Sequence, residues 1–410
     1  MRNFRFLPIF ICVTLFLAIL SFSWIRKPVI SSATIDQIVK SNNIEAEPVV
    51  NLNTEIENTE LRGVWITYMD LALEDGKRSE KDFTEKFRKM AENCKNSGFN
   101  TLIVQIRPFN DALYKSELFP TSHIIAGVQG EELNYDPLKI MCDICNELDL
   151  YIHAWVNPYR VSLNETPAKL SDDNPYIKNE ELGVETNNGI YLNPALIEVR
   201  DLIVKGVCEI IENYDVDGIQ FDDYFYPTTD ESFDKEQYEE YCNTHTEPMS
   251  LQEWRMNNVN ILIGRCYLAL HRINNNIEFG ISPQGNIDNN DALGADIKTW
   301  CKDAGYIDYI CPQIYFSLDN PALTFEDAVN SWIDLEYSGY CDIYIGLAGY
   351  KAGTDDSDEG TWKDKDDILK KEIEYIRKYS QIKGFMLYSY DCLEQDVAKQ
   401  EIENVMSILN

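Results

Sequence analysis

The 410-residue sequence has few basic residues for its size. Only 36 Lys and Arg stand against 69 Asp and Glu, which gives a formal net charge of −33. Four of the basic residues lie in residues 1–27, which contain no acidic residue, so the rest of the chain carries 32 basic against 69 acidic residues. Because nucleic acids and anionic lipids are bound by clustered Lys and Arg, we expect no nucleic-acid partner.

Residues that hold metals and cofactors are also scarce. The sequence has four His, no H-E-x-x-H, and a Cys142-x-x-Cys145 without a second ligand pair. The acidic stretch 355–360 resembles a calcium loop only faintly, since Ser357 departs from the pattern and the closing Glu is missing. No Gly-rich phosphate turn follows the first predicted strand, and no Ser-His or Cys-His arrangement is apparent. We therefore predict no metal site and no cofactor.

The sequence does contain one long uncharged run, from Leu7 to Ile25, with basic residues on both sides. Nineteen residues in a helix just cross a bilayer core of about 30 Å. The run ends in Phe-Ser-Trp-Ile, which is a poor small-x-small cleavage site. We therefore predict that residues 1–27 form an uncleaved signal anchor, with a cleaved signal peptide as the alternative. The bulk of the chain is then extracytoplasmic and anchored to the membrane, or secreted.

Residues 28–60 are rich in Ser, Thr, Asn and Glu and show no sustained apolar period. Such a segment buries too little apolar surface to offset the entropy lost on ordering. We predict a flexible linker that holds the following domain off the membrane.

From Leu61 onward, strand patterns alternate with amphipathic helical patterns. The predicted strands are 62–69, 101–108, 151–159, 218–225, 278–284, 309–316, 342–349 and 384–390. The predicted helices are 80–97, 136–148, 196–213, 251–274, 293–303, 325–336, 364–379 and 394–408. Eight such pairs predict a parallel α/β architecture, a (β/α)8 TIM-like barrel over residues 61–410 preceded by the N-terminal hydrophobic segment. An open doubly wound sheet is the competing architecture.

Four of the predicted strands place polar and aromatic residues on one alternating phase. These are Gln105 and Arg107; His153, Trp155, Asn157 and Tyr159; Gln220, Asp222 and Tyr224; and Gln313 and Tyr315. We expect this phase to face the barrel interior towards the carboxyl ends of the strands. An inert core would carry Val, Ile and Leu there instead. Aromatic faces that can stack on sugar rings, with amide, Arg and carboxylate groups for hydroxyls, indicate a carbohydrate ligand.

The sharpest local signal is DGIQFDDYFYP at 217–227. Asp222 falls on the interior phase at the end of the fourth predicted strand, and Asp223 follows directly. Glycoside cleavage needs two carboxyl groups flanking the bond, or one plus a substrate group. We predict a catalytic role for Asp222, and for Asp223 either catalysis or an orienting role, because a regular strand would turn it the other way. Further candidates for the second carboxylate are Asp70, Asp111 and Asp391.

Nine segments occur in order along the predicted barrel and together resemble a known family. They are LRGVWIT (61–67), NTLIVQIRPFNDALYKSELFPTS (100–122), YDPL (135–138), HAWVNPYR (153–160), YLNPA (191–195), DGIQFDDYFYP (217–227), ISPQG (281–285), PQIYFS (312–317) and GFMLYSY (384–390). The chain resembles glycosyl-hydrolase-like family ten, a family of bacterial exported proteins. The resemblance implies a TIM-like barrel and glycosidase activity, with bacterial cell-wall (peptidoglycan) glycan as the substrate. It also implies Asp222 and Asp223 as central carboxylates, surrounded by Arg107, Asn157, Tyr159, Arg160 and Gln313.

We therefore predict a glycoside hydrolase that cleaves O-glycosidic bonds in a polysaccharide with Asp222 and Asp223. The predicted substrate-binding residues are Arg107, Asp111, His153, Trp155, Asn157, Tyr159, Arg160, Tyr224, Gln313 and Tyr315. For His153 we also consider a histidine held by hydrogen bonds within a barrel layer. The alternative function is a non-catalytic carbohydrate-binding barrel at the cell surface, which needs the aromatic platforms but no second carboxylate.

Overall fold

The computed structural model describes residues 60–337 and 339–409. The predicted signal segment at 1–27 and nearly all of the predicted linker at 28–60 lie outside the described residues. Within the described ranges, no helix is both long and apolar enough to cross a bilayer.

Eight parallel strands close into a barrel, as the alternating pattern predicts. They are β1 (Leu61–Ile66), β2 (Thr101–Arg107), β3 (Tyr151–Val156), β4 (Gly218–Phe221), β5 (Glu278–Ile281), β6 (Tyr309–Ile310), β7 (Asp342–Leu347) and β8 (Ile382–Leu387). The strands are hydrogen-bonded in chain order, and β8 closes the barrel against β1. The register places Gly63 beside Met386 and Trp155 beside Gln220. The predicted eight-stranded α/β barrel is confirmed.

One main helix follows each strand. The helices are α1 (Glu80–Asn96), α2 (Pro137–Glu147), α3 (Ile197–Asn213), α4 (Leu251–Ile273), α5 (Ile297–Lys302), α6 (Phe325–Ile333), α7 (Ile368–Ile376) and α8 (Lys399–Leu409). Helix α1 shows the rule: it buries Phe83, Phe87, Met90 and Cys94, which recur every three or four residues and so share one face. Ser79 begins this helix by accepting a hydrogen bond from the backbone of Asp82.

The loops on the carboxyl side of the strands contain structure of their own. Additional helices cover Tyr68–Leu71, His123–Ala126, Pro175–Lys178 and Lys235–Thr244, and a hairpin pairs Gly183–Thr186 with Gly189–Leu192. The hairpin and the Pro175–Lys178 helix lie in the long connection after β3, and the Lys235–Thr244 helix lies in the one after β4. These two insertions belong to the face where enzymes of this fold bind substrate.

The predicted strands extend past the observed carboxyl ends. The largest difference is in the sixth, predicted as 309–316 and observed as Tyr309–Ile310. At β1, Thr67 leaves the strand to cap a short helix, where its backbone N–H and hydroxyl both donate to Asp70. The apolar and aromatic sequence continues beyond the hydrogen-bonded ladder, because those side chains line the mouth of the barrel. Asp70, one candidate for a second carboxylate, is occupied by this cap.

Two apolar clusters hold the fold together. The larger one fills the space between the strands and the surrounding helices. The smaller one comprises Trp65, Ile103, Trp155, Tyr309, Cys311, Tyr344 and Met386, side chains that point into the barrel. Several of these side chains are aromatic, and two of them, Trp65 and Trp155, also line the pocket described next.

Candidate active site

A pocket of about 210 Å³ opens at the carboxyl end of the barrel. It is lined by Trp65, Trp155, Asp222, Asp223, Tyr224, Ser282, Gln313, Tyr315, Tyr350 and Tyr388. Seven of the eight strands or the loops that follow them contribute to this lining. Active sites of TIM-like barrels form at this face, from residues at the ends of several strands.

A second depression lies away from these residues. It is a groove of about 1030 Å³ along α3 and the segments 114–121 and 132–139. Its lining mixes Lys and Glu side chains and includes neither Asp222 nor Asp223. The smaller pocket is the candidate active site, because two carboxyl groups with raised pKa, one of them almost completely buried, meet aromatic surfaces there.

Asp222 follows the last residue of β4 and is almost completely buried. Its Oδ2 accepts hydrogen bonds from Nε1 of Trp155 (3.1 Å) and from Nδ2 of Asn157. Its Oδ1 accepts one from the backbone N–H of Tyr224 at 3.3 Å. Burial and the charge of Asp223 raise the pKa of Asp222 to about 7, against the lowering effect of the Arg160 charge.

Asp223 reaches the same pocket, which a regular strand would not allow. Because β4 ends at Phe221, the alternation of side chains stops before the two aspartates, and both carboxyl groups line the cavity. The Asp223 Oδ1 accepts a hydrogen bond from Nε2 of Gln313 at 3.2 Å. Burial raises the pKa of Asp223 as well. Because the charge of Asp223 opposes ionisation of Asp222, the pair loses its last proton only around pH 7.

Asn157 and Arg160 orient the Asp222 carboxylate. The Asn157 Oδ1 accepts hydrogen bonds from Nε2 of Gln105 (2.6 Å) and from Nη2 of Arg160 (3.0 Å), which leaves its Nδ2 to face Asp222. Arg160 is itself fixed by donating from Nε to the carbonyl of Pro108 at 2.8 Å. Both residues were predicted as substrate-binding. The structure places them next to Asp222, outside the lining of the pocket.

An aromatic wall faces the two carboxyl groups. The Tyr388 ring lies 6.0 Å from Trp65 and 6.5 Å from Trp155, edge to face, and 5.6 Å from Tyr315 in a nearly parallel arrangement. Tyr350 packs edge to face against Tyr388 at 5.9 Å. At the mouth, Tyr224 remains 49% exposed, so its ring is available to a ligand. The pocket brings together the predicted residues Trp155, Asp222, Asp223, Tyr224, Gln313 and Tyr315.

Arg107 lies on the opposite side of β2 from the one predicted. The register against β3 shifts between Gln105 and Arg107, so Gln105 pairs with Trp155 whereas Arg107 pairs with Val156. This bulge reverses the alternation, and Arg107 points towards the helices. Its guanidinium stacks 4.6 Å from the Phe119 ring and occupies the space that a side chain at Gly206 of α3 would need. The prediction that Arg107 lines the pocket is corrected by this local irregularity.

Three other predicted binding residues also lie outside the pocket. Tyr159 follows β3 after the strand has ended, and its ring packs in the core between strands and helices. Asp111 is buried in its own loop, where it accepts hydrogen bonds from the backbone of Phe109 and the side chain of Gln129. His153 lies deeper in the barrel, with Nδ1 3.0 Å from the Tyr309 hydroxyl. Asp111 and His153 thus make hydrogen bonds within the fold, and Tyr159 contributes its ring to the core.

Four residues of the pocket were missed from the sequence. Trp65 and Tyr388 lie in LRGVWIT and GFMLYSY, two of the segments that carry the family resemblance, and reading the phase of β1 would have found Trp65. Ser282 follows the last residue of β5. Tyr350 lies in the short turn Gly349–Lys351, where no periodic pattern reveals which way a side chain points.

Metal ligands do not cluster in the part of the chain that the structure describes. No group of three or more His, Cys, Asp or Glu side chains there could hold a metal ion. In the acidic stretch 355–360, which faintly resembles a calcium loop, Asp358 forms an ion pair with Lys351.

Comparisons with known proteins find one family and several relatives that match most of the barrel. The model of the family described as Glycosyl hydrolase-like 10 matches residues 60–364. Glycosyl hydrolase YngK of Bacillus subtilis is 33% identical over 360 residues, which are 82% of this chain and 69% of that protein. Glycosyl hydrolase DigH of Escherichia coli K12 is 31% identical over 344 residues, 77% of each.

Two solved structures share the fold at low sequence identity. The glycoside hydrolase domain of PgaB (BpsB) from Bordetella bronchiseptica superposes with a TM-score of 0.59 at 10% identity, covering 86% of this chain and 99% of that domain. The alpha-L-fucosidase isoenzyme 2 of Paenibacillus thiaminolyticus gives a TM-score of 0.53 at 12% identity, covering 85% of this chain and 49% of the other. At such identities the likeness concerns the fold alone.

Proposed function

The chain belongs to the glycosyl hydrolase-like 10 family, and from that premise we propose that it is a glycoside hydrolase cleaving O-glycosidic bonds in a polysaccharide. The observation that carries the proposal is the pair Asp222 and Asp223, one buried and the other partly buried, which line one pocket walled by aromatic rings. Paired carboxyl groups with one shared proton supply both the acid and the carboxylate that glycoside cleavage uses.

The roles of the two carboxyl groups follow from their hydrogen bonds. Asp222 accepts from three N–H groups, and such donors favour the ionised form. We assign it the carboxylate role, either attacking the anomeric carbon or stabilising its oxocarbenium-like charge. Asp223 accepts from Gln313, and we assign it the acid role: the proton that Asp222 retains up to about pH 7 passes to Asp223 as Asp222 meets the developing positive charge. Asp223 transfers that proton to the glycosidic oxygen as the bond to the leaving sugar breaks, and water then completes the hydrolysis.

The substrate class follows from the pocket and the charge of the protein. Aromatic rings such as Trp155 and Tyr315 offer flat faces to sugar rings, and the strongly acidic surface disfavours polymers rich in phosphate. Together with the family resemblance, these features lead us to propose bacterial cell-wall glycan, stripped of its peptides, as the substrate. The pocket needs no cofactor for this chemistry.

A cleavage assay tests this function. Peptidoglycan glycan strands, chitin oligomers and α-glucans are incubated with the full chain, with Asp222→Asn, and with Asp215→Asn as a matched control at the exposed residue just before β4. We expect new reducing ends from the wild type and from Asp215→Asn on at least one glycan, and almost none from Asp222→Asn. Binding without any new reducing ends would favour the carbohydrate-binding barrel. Wild-type turnover by folded Asp222→Asn would remove Asp222 from the mechanism.

We also propose, from the sequence alone, that residues 1–27 anchor the protein in the membrane and that the barrel is extracytoplasmic. The linker 28–60 would then separate the two. Fractionation of cells and the mass of the mature protein test this: a membrane-bound form that retains residues 1–27 is expected. A soluble form that begins after residue 25 would show a cleaved signal peptide and a secreted protein instead.

A further inference from the structure

A buried ion pair lies behind the aromatic wall of the pocket. The Lys351 Nζ is 2.5 Å from Oδ1 of Asp358, and only 12% and 8% of the two side chains are exposed. The same Nζ donates to the backbone carbonyl of Tyr315 at 2.6 Å. Lys351 directly follows Tyr350 and lies 5.8 Å from its ring. The Lys351 ammonium group therefore contacts two residues that line the pocket, the backbone of Tyr315 and the ring of Tyr350.

Asp358 extends the connection to the rest of the loop. Its Oδ2 accepts hydrogen bonds from the backbone N–H of Ser317 (2.9 Å) and from Nε1 of Trp362 (3.1 Å). The Ser317 hydroxyl also forms a hydrogen bond with the hydroxyl of Thr361, with 2.6 Å between the two oxygens. Burial opposes the charge, yet the hydrogen bonds from Lys351, Trp362 and Ser317 hold the pKa of Asp358 below its usual value. The ion pair thus joins the loop after β6 to two parts of the loop after β7, the turn Gly349–Lys351 and the segment 358–362.

The backbone at Asp358 supports a specific role for this pair. Asp358 and Glu359 have φ of +51° and +57°, in the left-handed region that side chains other than Gly rarely adopt. Such residues persist where the surrounding contacts hold them, and they cluster near functional sites. A buried ion pair is also weak evidence for stability in itself, because desolvation offsets most of the attraction. The geometry it imposes is the more informative property.

We propose that Lys351 and Asp358 are positioning residues that fix Tyr315 and Tyr350 as a sugar-binding wall opposite Asp222 and Asp223. The proposal rests on the proposed glycosidase function and names residues outside the reacting groups. Without the ammonium, the Tyr315 carbonyl loses its donor, and the loops that hold the two rings separate. Weaker binding of the glycan then follows, while the carboxyl pair retains its chemistry.

The test compares four variants of the full chain. Lys351→Met removes the ammonium, and Lys351→Arg preserves the charge. The double variant Lys351→Met with Asp358→Asn also removes the unpaired buried carboxylate, which keeps the test valid if the single variant folds poorly. Lys365→Met is the matched control, since Lys365 pairs with Asp319 at 2.6 Å on the exposed side of the same region. The substrate is peptide-stripped peptidoglycan glycan.

For the double variant we expect KM to rise about tenfold with kcat within about twofold of wild type, while thermal stability recovers relative to Lys351→Met. Lys351→Arg should restore much of the lost affinity, and Lys365→Met should leave KM unchanged. A double variant that recovers both stability and wild-type KM would show that the pair is only structural and would overturn the proposal.

Hydrogen exchange without substrate separates this proposal from the proposed function. In the double variant, amides of segments 312–318 and 348–352 should exchange at least about tenfold faster than in wild type, with the rest of the barrel unchanged. If wild type cleaves no glycan, the glycosidase proposal fails, and the exchange result still decides whether the ion pair orders the wall. Unchanged exchange in both segments would contradict the positioning role.

Discussion

Two clusters of polar residues inside the barrel differ in what their polar atoms face: in one they face each other, and in the other they face a cavity. In the bore network, which consists of Trp65, His153, Gln220 and Tyr309, the polar atoms satisfy one another. Trp65 donates to Gln220 at 2.6 Å, Gln220 to the Tyr309 hydroxyl at 3.2 Å, and that hydroxyl lies 3.0 Å from His153. The small residues Gly218 and Gly280 leave the space that the His153 and Tyr309 rings fill.

In the carboxyl pair, Asp222 is buried and Asp223 is partly buried, and both border an open cavity. Three N–H groups donate to Asp222, and the side-chain amide of Gln313 donates to Asp223. The 210 Å³ pocket leaves room for a ligand beside the two carboxyl groups. The comparison teaches that polar residues in a barrel interior do not by themselves mark a site. What distinguishes a site is an adjoining cavity and groups that destabilise each other's charged forms.

The largest expected effect concerns the carboxyl pair. Asp223→Asn should lower kcat on glycan about 10²–10⁴-fold, because the leaving oxygen loses its proton donor. An aryl glycoside with an acidic phenol leaving group needs less protonation, so the loss on that substrate should be much smaller. Steady-state kinetics on both substrates measure the difference. An equal loss on both would show that Asp223 is not the acid.

The contributions of the carboxyl pair and of the bore network to the free energy of unfolding should also change with pH in opposite directions. Asp222 has a folded-state pKa of about 7, above its unfolded value, so its contribution to the free energy of unfolding falls as pH rises from about 4 to 7. Burial lowers the pKa of His153 to about 4, so its contribution falls as pH drops from about 6.5 to 4, by up to about 3 kcal/mol.

Urea unfolding at several pH values measures these slopes. Relative to wild type, Asp222→Asn should gain stability as pH rises, and His153→Gln should gain stability as pH falls. Differences between variants are needed because Glu401, whose pKa burial raises to about 7, adds a slope common to all of them. Parallel curves for the three proteins would refute the opposite electrostatics of the two regions.

Removing one hydroxyl from the bore network should affect stability and not catalysis. Tyr309→Phe removes the buried hydroxyl that partners the Gln220 Nε2 and the His153 Nδ1, which should cost about 1–3 kcal/mol of unfolding free energy. We expect kcat/KM on glycan to stay within about twofold, because the hydroxyl does not line the pocket. A large loss of activity at unchanged stability would assign the bore network to the site.

The smallest expected effect is at the mouth of the pocket. Tyr224→Ala removes a half-exposed ring that can stack on one sugar, so KM should rise about two- to tenfold, or roughly 0.5–1.5 kcal/mol, with little change in kcat. Tyr340→Ala, which removes a far more exposed ring beside β7, is the control and should change neither. Kinetics on long and short glycans would show whether the effect needs an extended chain.

The sequence was sufficient for the barrel because strand and helix periods alternate eight times with few irregular stretches. It was less informative at the carboxyl ends of the strands, where aromatic residues continue beyond the hydrogen-bonded ladder, as after β6. Alternation correctly brought Asp222 and Trp155 to the pocket. Alternation gave the wrong side for Arg107, because a bulge in β2 reverses which side of the strand the following side chains occupy. No sequence pattern predicts that bulge.

The positions of other residues cannot be predicted from the alternation of side chains along a strand. Phase correctly indicated that His153 faces the interior, but it gives neither depth nor partners, and the Tyr309 hydroxyl is supplied by a residue 156 positions away. Tyr350 and Lys351 lie in a short turn, and their roles emerge only from contacts with Tyr315 and Asp358. Such contacts arise from closure of the barrel.

The most direct test of the account is a titration of the carboxyl pair itself. Carboxyl ¹³C NMR of protein labelled at Asp, with Asp222→Asn and Asp223→Asn used for assignment, follows both groups without any substrate. The account predicts a signal with an apparent pKa near 7 that disappears in Asp222→Asn and moves to lower pH in Asp223→Asn, because the neighbouring charge is gone. Two carboxyl groups that both titrate below about pH 5, each unaffected by loss of the other, would contradict a shared proton.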